Sequence, residues 1–315
     1  MLQEILRINH AVLPDEGEDS FALRTDEHDT FLCVTDGCGG LGSRRYPELA
    51  NRTGAYVAAR MAARAFAFWA DERRPVPQNE EEAKALCAEL ENDLHDQLKS
   101  FAEEHCMGDR TRIVGSMQRC LPTTLCALTV RNDDLCFWWA GDSRGYVMDE
   151  DGLHQHTRDH LRGDRDCFEN LYNDKPLSNL LSADKKGMIQ FKKVKANKPC
   201  IAFVATDGVY SCLPTPMEVE MLLLDTLRQS ASMADWEKRL ARTIARNAQD
   251  DATLLLIPLH MESFEQMKEM FMLRRSALQK QFITPVRRHK GDLSYAREKW
   301  KMYRQNYDMT ENGHE

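Results

Sequence analysis

The strongest indication of the fold is an apolar run that ends abruptly in an acidic, glycine-rich turn. It is the stretch Phe31-Leu32-Cys33-Val34-Thr35-Asp36-Gly37-Cys38-Gly39-Gly40. An apolar run bounded by turn residues is typical of a β-strand. The pattern returns at 201–208, where Ala205-Thr206-Asp207-Gly208 closes a second apolar run. One Asp-Gly pair alone indicates no more than a turn. Together the two stretches predict two strands that each end in an aspartate.

Further strands and long helices surround these two. The other predicted strands are 21–23, 124–130, 135–140, 145–148, a weaker run at 188–194, and 252–259. Apolar residues at spacings of three and four predict helices over 49–68 and 86–101, joined by a proline-containing turn, and a helical stretch over 216–247. Residues 124–148 resemble three consecutive antiparallel strands. Because strands and helices do not alternate regularly, the sequence predicts an α+β fold of antiparallel sheets flanked by helices.

Two segments differ from the rest in composition. Residues 158–198 are rich in Asp, Lys and Asn, which predicts a surface subregion or flap. Residues 260–315 hold one amphipathic pattern from Phe264 to Phe282, an interruption at Pro285, and a second pattern up to Tyr307. We therefore predict a domain over 1–259 and a C-terminal helical extension over 260–315.

The charge is divided unevenly between these parts. The whole chain carries −8, residues 1–259 carry −11 and the extension carries +3. We expect the extension to pack on the domain or on a second copy of the chain, so self-association through it stays open. Its basic face could meet an acidic partner or the acidic surface of the domain itself.

Composition excludes several classes of function. A net charge of −8 argues against nucleic acid as a partner, and no apolar run is long enough to cross a membrane. The first ten residues do not resemble a secretory signal, so we expect a cytoplasmic location. The ten cysteines include no C-x-x-C pair, and we expect most of them to be reduced core residues.

Carboxylates recur at the ends of the predicted strands. They are Glu18 with Asp19, Asp36, Asp142, Asp207, and Asp250 with Asp251. If the strands lie side by side, these carboxylates converge and repel one another. Hard divalent cations with oxygen ligands are the usual compensation, and the pattern therefore predicts a pair of them.

The order and wording of the motifs over about residues 9–259 resemble the metal-dependent protein phosphatases of type 2C, in particular bacterial members. The matching pieces are G-E-D-S-F (17–21), F-L-C-V-T-D-G-C-G-G (31–40), T-T-L-C-A-L (123–128), W-A-G-D-S-R-G (139–145), T-R-D-H (157–160), F-V-A-T-D-G-V-Y (203–210) and D-D-A-T-L-L-L-I (250–257). The resemblance implies a four-layer αββα sandwich and a binuclear Mn²⁺ or Mg²⁺ centre. It also implies hydrolysis of phosphoserine and phosphothreonine in proteins, opposing a Ser/Thr kinase.

The resemblance also implies roles for individual residues. Asp36 would bridge the two metals, the carbonyl of Gly37 would bind one of them, and Asp207 and Asp250 would complete the other. Asp19 would orient a metal-bound water. That water would attack phosphorus in line, and no protein nucleophile would be required.

Other positions add to this assignment or depart from the family pattern. Asp142 falls where some bacterial members hold a third, weaker metal. The family's phosphate-binding arginine is missing before Glu18, and Arg44 or Arg45 could supply its charge instead. Cys38 stands where eukaryotic members often have a proposed general acid, so the proton would come from water, with redox sensing by Cys38 as an alternative.

Two competing interpretations remain at this stage. His154, His156 and His160 could form a zinc site, although structural roles are the simpler interpretation. The chain could also be a catalytically weak phosphatase-fold module that binds a phosphoprotein or regulates a partner, an alternative that the missing arginine motivates.

Overall fold

The chain folds around two five-stranded sheets, in a computed structural model that describes residues 4–26, 29–106, 119–163, 166–173 and 175–308. Neighbouring strands in both sheets are antiparallel. The first sheet contains, in spatial order, β1 (Leu6–His10), β12 (Ala252–Leu259), β11 (Cys200–Ala205), β8 (Arg144–Asp149) and β9 (Gly152–Gln155). The second sheet contains β10 (Gln190–Lys195), β7 (Asp134–Ala140), β6 (Leu125–Arg131), β3 (Asp29–Thr35) and β2 (Ser20–Thr25). A small hairpin is formed by β4 (Arg45–Tyr46) and β5 (Arg52–Thr53).

Helices cover the outer face of each sheet. In chain order they are α1 (Gly39–Gly42), α2 (Gly54–Arg73), α3 (Glu80–His105), α4 (Cys167–Asn170), α5 (Met217–Gln229), α6 (Met233–Asn247), α7 (Phe264–Leu278), α8 (Thr284–Arg288) and α9 (Leu293–Tyr307). One hydrophobic core joins α2 and α3 to the second sheet, and another joins α5, α6, α7 and α9 to the first. The predicted αββα sandwich is confirmed. Among the described residues, no helix has both the length and the apolar character needed to cross a membrane.

Strand β3 is buried on both faces. Leu32 and Val34 of β3 lie in the core between the sheets, whereas Phe31 and Cys33 lie in the core beneath α2 and α3. Successive side chains of a strand point to opposite faces, so a central strand in a four-layer fold needs apolar residues at every position. This requirement explains the uninterrupted apolar run before Asp36.

The sequence analysis predicted three consecutive antiparallel strands over residues 124–148, and this prediction is wrong. Strands β6 and β7 pair in the second sheet, but β8 pairs with β9 and β11 in the first sheet. The chain crosses between the sheets at Gly141, whose φ of +106° is accessible to glycine at little cost. A turn between paired strands and a crossover share the same turn residues, so the sequence does not distinguish them.

Two helical predictions also need correction. The stretch 216–247 is two helices, and Ser232 begins the second by accepting a hydrogen bond from the Asp235 amide at 3.2 Å. Pro285 does not interrupt the C-terminal helix. The helix continues through a π-helical segment, Gln279–Ile283, which places Pro285 in the first turn of α8, where its missing N–H costs little.

The C-terminal segment supplies part of the core, as far as it is described. Phe271, Trp300 and Tyr307 lie in the same core as Tyr146 and Phe203 of the first sheet. Packing on the domain therefore occurs within one chain. The domain boundary at 259/260 and self-association through this segment remain predictions.

The basic residues of the C-terminal segment contact the acidic surface of the domain. Among the residues that the structure describes, five ion pairs connect them: Arg274–Glu220, Arg275–Asp225, Arg287–Glu218, Arg297–Glu169 and Arg304–Asp166. Glu220 is fully buried and accepts hydrogen bonds from Arg274 and, at 2.6 Å, from the Tyr303 hydroxyl. The basic C-terminal segment thus docks on the acidic surface of the domain within one chain. The described partners of the buried Glu220, Arg274 and Tyr303, both belong to this segment.

Candidate metal centre and phosphate cleft

Asp36 is held in place by backbone contacts on both sides of its loop. The Thr124 amide donates to the Asp36 carbonyl at 2.8 Å, and the Cys38 amide donates to the Pro122 carbonyl at 3.1 Å. Gly37 lies so close to α2 that a Cβ atom would be 2.4 Å from the Ala55 carbonyl oxygen. Only glycine fits there, which explains the Gly after Asp36.

Asp207 and Asp250 are brought together by the other Asp-Gly pair. Asp207 follows β11 and begins a single 3₁₀ turn, Asp207–Val209. A Cβ at Gly208 would lie 1.9 Å from the Asp251 carbonyl oxygen, so the turn after β11 packs directly on the residues that precede β12. Both Asp-Gly pairs are therefore sites of close backbone approach.

Asp142 lies at the crossover from β7 to β8, and a buried ion pair supports it. Arg144 donates to both carboxylate oxygens of Asp159, at 2.9 and 2.6 Å, and both residues are buried. The Arg144 guanidinium also stacks over Tyr210, whose hydroxyl donates to the Asp142 carbonyl at 2.6 Å. Sequence reasoning did not identify Arg144, although it joins the W-A-G-D-S-R-G motif to the T-R-D-H motif.

One cleft of about 870 Å³ brings together the predicted metal ligands. Its carboxylate side contains Glu18, Asp36, Asp142, Asp207, Asp250 and Asp251, together with Gly37. Within the described ranges, no Lys or Arg side chain forms an ion pair with Asp36, Asp142, Asp207 or Asp250. These four aspartates therefore gather negative charge that no ion pair of the described residues neutralises.

The pKa values report the same imbalance. Burial, followed by repulsion from Asp207 and Asp19, raises the pKa of Asp36 well above its ordinary value of 3.8. Burial and repulsion from Asp207 raise the pKa of Asp142 to about 8, and burial with repulsion from Asp250 raises that of Asp207 to about 6. Each aspartate thus resists carrying charge beside the others.

Glu18 and Asp19 take different positions. Glu18 lines the cleft and accepts a hydrogen bond from the Thr53 hydroxyl, which also caps α2. Asp19 is buried and accepts from the Thr206 hydroxyl at 2.7 Å, and burial raises its pKa to about 8. Asp251 is occupied by the backbone, because it accepts from the amides of Val12 and Glu18 at 2.8 and 2.6 Å.

The donor set suits hard divalent cations. Carboxylates and one backbone carbonyl are oxygen ligands of the kind that Mn²⁺ and Mg²⁺ take, and Asp36, Asp142, Asp207 and Asp250 form no ion pair among the described residues. As they stand, no three His, Cys, Asp or Glu side chains of the described ranges are gathered closely enough to hold an ion.

The arginines proposed for the substrate phosphate lie elsewhere. Arg45 pairs with Glu16 at 2.7 Å and lines a smaller neighbouring pocket that shares Asp250 with the cleft. Arg44 stacks over Tyr46. Their phosphate role remains a prediction.

Other cations line the rim of the cleft and were missed from the sequence. They are Arg119, Arg162, Lys175, Lys185 and Lys186. Most lie in the segment interpreted as a flap, where no motif distinguishes one basic residue from another.

Cys38 lines the cleft with its pKa well above the ordinary value of 9.0, first because of burial and then because of Asp36. A thiol that stays protonated reacts slowly with oxidants. This environment disfavours redox sensing.

The three histidines of the zinc alternative have separate structural roles. His154 contacts Asp149 at 3.0 Å, and His160 contacts the Gly141 amide at 3.0 Å. His156 is buried and stacks on Phe137, with ring centroids 5.5 Å apart. The structure thus favours the structural interpretation for all three.

His156 should make the fold sensitive to acid. Burial lowers its pKa from 6.5 to about 3, so the unfolded chain takes up the proton first as pH falls. Its contribution to stability is complete above about pH 6.5 and declines towards pH 3. Between pH 7 and pH 5, wild type should lose about 2 kcal/mol more free energy of unfolding than His156→Phe, as measured by urea denaturation. Equal losses in the two proteins would show that His156 is not the acid-sensitive group.

The architecture and the cleft agree with the αββα class of phosphatase that the motifs resemble. The family model described as Protein phosphatase 2C matches residues 10–255. The chain therefore belongs to the protein phosphatase 2C family, and it is a phosphoprotein phosphatase, a hydrolase.

Solved structures give the same fold at low identity. The serine/threonine phosphatase Stp1 from Staphylococcus aureus is 17% identical with a TM-score of 0.62, covering 83% of this chain and 96% of that chain. PstP/Ppp from Mycobacterium tuberculosis is 18% identical with a TM-score of 0.57, covering 83% and 100%. The PstP catalytic domain in complex with two manganese ions is 17% identical with a TM-score of 0.53, covering 82% and 97%. The curated proteins contain no match to the chain.

Proposed function

We propose that the chain is a metal-dependent serine/threonine protein phosphatase with a binuclear Mn²⁺ or Mg²⁺ centre. One observation carries the proposal. Carboxylates from several strand ends line a single cleft, and no cation of the described residues is paired with Asp36, Asp142, Asp207 or Asp250. The two manganese ions of the similar PstP catalytic domain support the choice of ion.

In this proposal Asp36, the Gly37 carbonyl, Asp207 and Asp250 would hold the two cations, with Asp36 shared between them. Asp142 would hold a third, weaker ion. When bound, the cations supply water activation and neutralise charge on the phosphoryl oxygens. Thr206 fixes the Asp19 carboxylate, which would orient the attacking water, with the serine or threonine oxygen leaving on the opposite side of phosphorus. Gly37 and Gly208 keep the backbones close enough for this arrangement.

We further propose that Arg119 is the main residue that receives the substrate phosphate. Its amide donates to the Leu41 carbonyl at 2.9 Å, so its segment runs alongside the loop that contains Asp36. In the described parts of the chain, the Arg119 side chain has no carboxylate partner, whereas Arg45 is paired with Glu16. A guanidinium beside the carboxylate cleft matches the geometry of a phosphate group.

Arg119→Ala should raise the KM for p-nitrophenyl phosphate about tenfold or more, because a charge-assisted hydrogen bond to the phosphate is lost. Arg45→Ala is the matched control and should change KM less than about twofold, since exposed ion pairs contribute little. Steady-state kinetics of both purified variants provides the measurement. A large effect in Arg45→Ala with none in Arg119→Ala would assign the phosphate to Arg45.

The natural substrate would be a cytoplasmic phosphoprotein, and the enzyme would oppose a Ser/Thr kinase in signalling. The test of this function is Mn²⁺-dependent hydrolysis of p-nitrophenyl phosphate and of a phosphothreonine peptide. Folded protein without metal-dependent turnover on either substrate would favour the alternative, a phosphatase-fold module that binds a phosphoprotein or regulates a partner.

A further inference from the structure

A second cavity, of about 930 Å³, lies between α5, α6 and residues 286–296, and we call it the α6 groove. Its lining includes the apolar side chains that we call its floor: Leu213, Leu222, Val286 and Leu293. Leu293 is 43% exposed even though it begins α9. The volume lies in the range of protein cavities that enclose ligands, and its apolar floor is accessible to solvent.

The rim of the α6 groove carries positive charge. Arg242 and Arg246 are four residues apart, so they share one face of α6, and Lys290 lies across from them. In the described ranges, none of the three is paired with a carboxylate. The groove is therefore locally cationic on a chain whose net charge is −8.

The carboxylates of the α6 groove already have partners. Glu218 pairs with Arg287 at 2.7 Å, and Asp225 pairs with Arg275 at 2.5 Å. Asp292 caps α9 by accepting from the Tyr295 amide at 3.0 Å. None of the three forms an ion pair with Arg242, Arg246 or Lys290 in the described part of the chain, so those three cations are available to a ligand.

The α6 groove lies next to the catalytic cleft. Asn247 lines the groove, and Asp250, three residues later, lines the cleft. Tyr172 and Lys175 are related in the same way. Three residues span at most about 11 Å, so one short extended peptide could reach from the cleft into the groove.

We propose that the α6 groove binds an acidic segment of the phosphoprotein substrate, one that also carries apolar side chains, while the phosphorylated residue occupies the cleft. The proposal rests on the proposed phosphatase function. Charge complementarity selects the acidic segment, the floor of the groove selects its apolar side chains, and proximity to the cleft selects the substrate as its source.

The test compares three phosphothreonine peptides of equal length. One carries a Glu/Leu-rich segment before the phosphothreonine, one carries it after, and the third carries Ser and Lys instead. One of the two acidic peptides should have a KM about tenfold below that of the third, and the advantage should shrink in 0.5 M salt.

Charge reversal at the rim should remove this preference. In the R242E/R246E variant, the KM for the preferred acidic peptide should rise about tenfold, with hydrolysis of p-nitrophenyl phosphate unchanged. The matched control R64E/K99E makes the same change in net charge on exposed positions of α2 and α3, on the opposite outer layer, and should leave both KM values unchanged.

The outcomes separate the two proposals. Wild-type protein without metal-dependent hydrolysis of p-nitrophenyl phosphate would contradict the proposed function itself. With that hydrolysis intact, equal KM values for the three peptides would overturn the groove proposal, as would equal effects of R242E/R246E and R64E/K99E.

Discussion

Replacing Asp36 by Asn should lower Mn²⁺-dependent kcat/KM by about a thousandfold or more while the chain stays folded. Asp36 is the side chain proposed to contact both cations, and a thousandfold loss corresponds to about 4 kcal/mol of lost transition-state stabilisation. Asp207→Asn should produce a loss of the same order. The measurement is the Mn²⁺-dependent rate on p-nitrophenyl phosphate, and Asp96→Asn, an exposed carboxylate on α3, is the control that should behave as wild type.

The same variants should show the opposite effect on stability without metal. Asp36 and Asp207 repel each other and are not paired with any cation in the described residues, so removing either charge should raise the melting temperature of the metal-free protein. Added Mn²⁺ should stabilise wild type and have little effect on Asp36→Asn. An Asp36→Asn protein with wild-type activity and a wild-type response to Mn²⁺ would contradict the assignment.

Removing residues 261–315 should leave a chain that does not fold into a soluble protein. The truncation uncovers α5 and the β9 end of the first sheet, and it takes away Phe271, Trp300 and Tyr307 from the core of that sheet. It also leaves Glu220 buried without Arg274 and Tyr303. Loss of several core side chains, each contributing a few kcal/mol, exceeds the total stability of a typical domain. The measurement is the yield of soluble protein and its circular dichroism.

A point variant tests the same packing in the full chain. Trp300 is 1% exposed, and its indole N–H donates to the Asp166 carboxylate at 2.9 Å. Trp300→Ala should lower the free energy of unfolding by about 3–5 kcal/mol. Leu273→Ala, on an α7 residue that is 80% exposed, should change it by less than about 0.5 kcal/mol. A soluble, active truncation together with a stable Trp300→Ala protein would make the C-terminal segment a true appendage.

The sequence was most informative where burial and turn chemistry act together. Strands β3 and β11 were predicted because burial on both faces demands an unbroken apolar run, and close backbone approach demands the glycine after each aspartate. Those same constraints place Asp36 and Asp207 just after the ends of β3 and β11. Antiparallel sheets flanked by helices, and the grouping of carboxylates around one cleft, were therefore accessible from local patterns, whereas the four-layer αββα arrangement came from the family resemblance.

Features set by tertiary contact were not accessible. Strands β1 and β9 were missed, because Leu6–His10 carries Arg7 and Gly152–Gln155 has only one large apolar residue, so pairing with β12 and β8 decides their conformation. The sequence indicates Arg144 only as one residue of a motif, because its ion-pair partner Asp159 lies 15 residues away along the chain. The flap cations, including Lys185, have no local pattern that marks them as part of the cleft. A side chain's partner across the fold leaves no local signal.

The most direct test of the proposed metal centre is to count the metal ions bound to the folded protein while its phosphatase activity is measured. Chelator-treated wild type is dialysed against Mn²⁺, bound metal is determined by atomic spectroscopy, and hydrolysis of p-nitrophenyl phosphate is followed on the same samples. We expect at least two tightly bound Mn²⁺ per chain, activity that rises as they bind, and loss of both the bound metal and the activity in Asp36→Asn. Folded wild-type protein that hydrolyses the substrate without divalent metal, or that binds no Mn²⁺, would contradict the proposed metal centre.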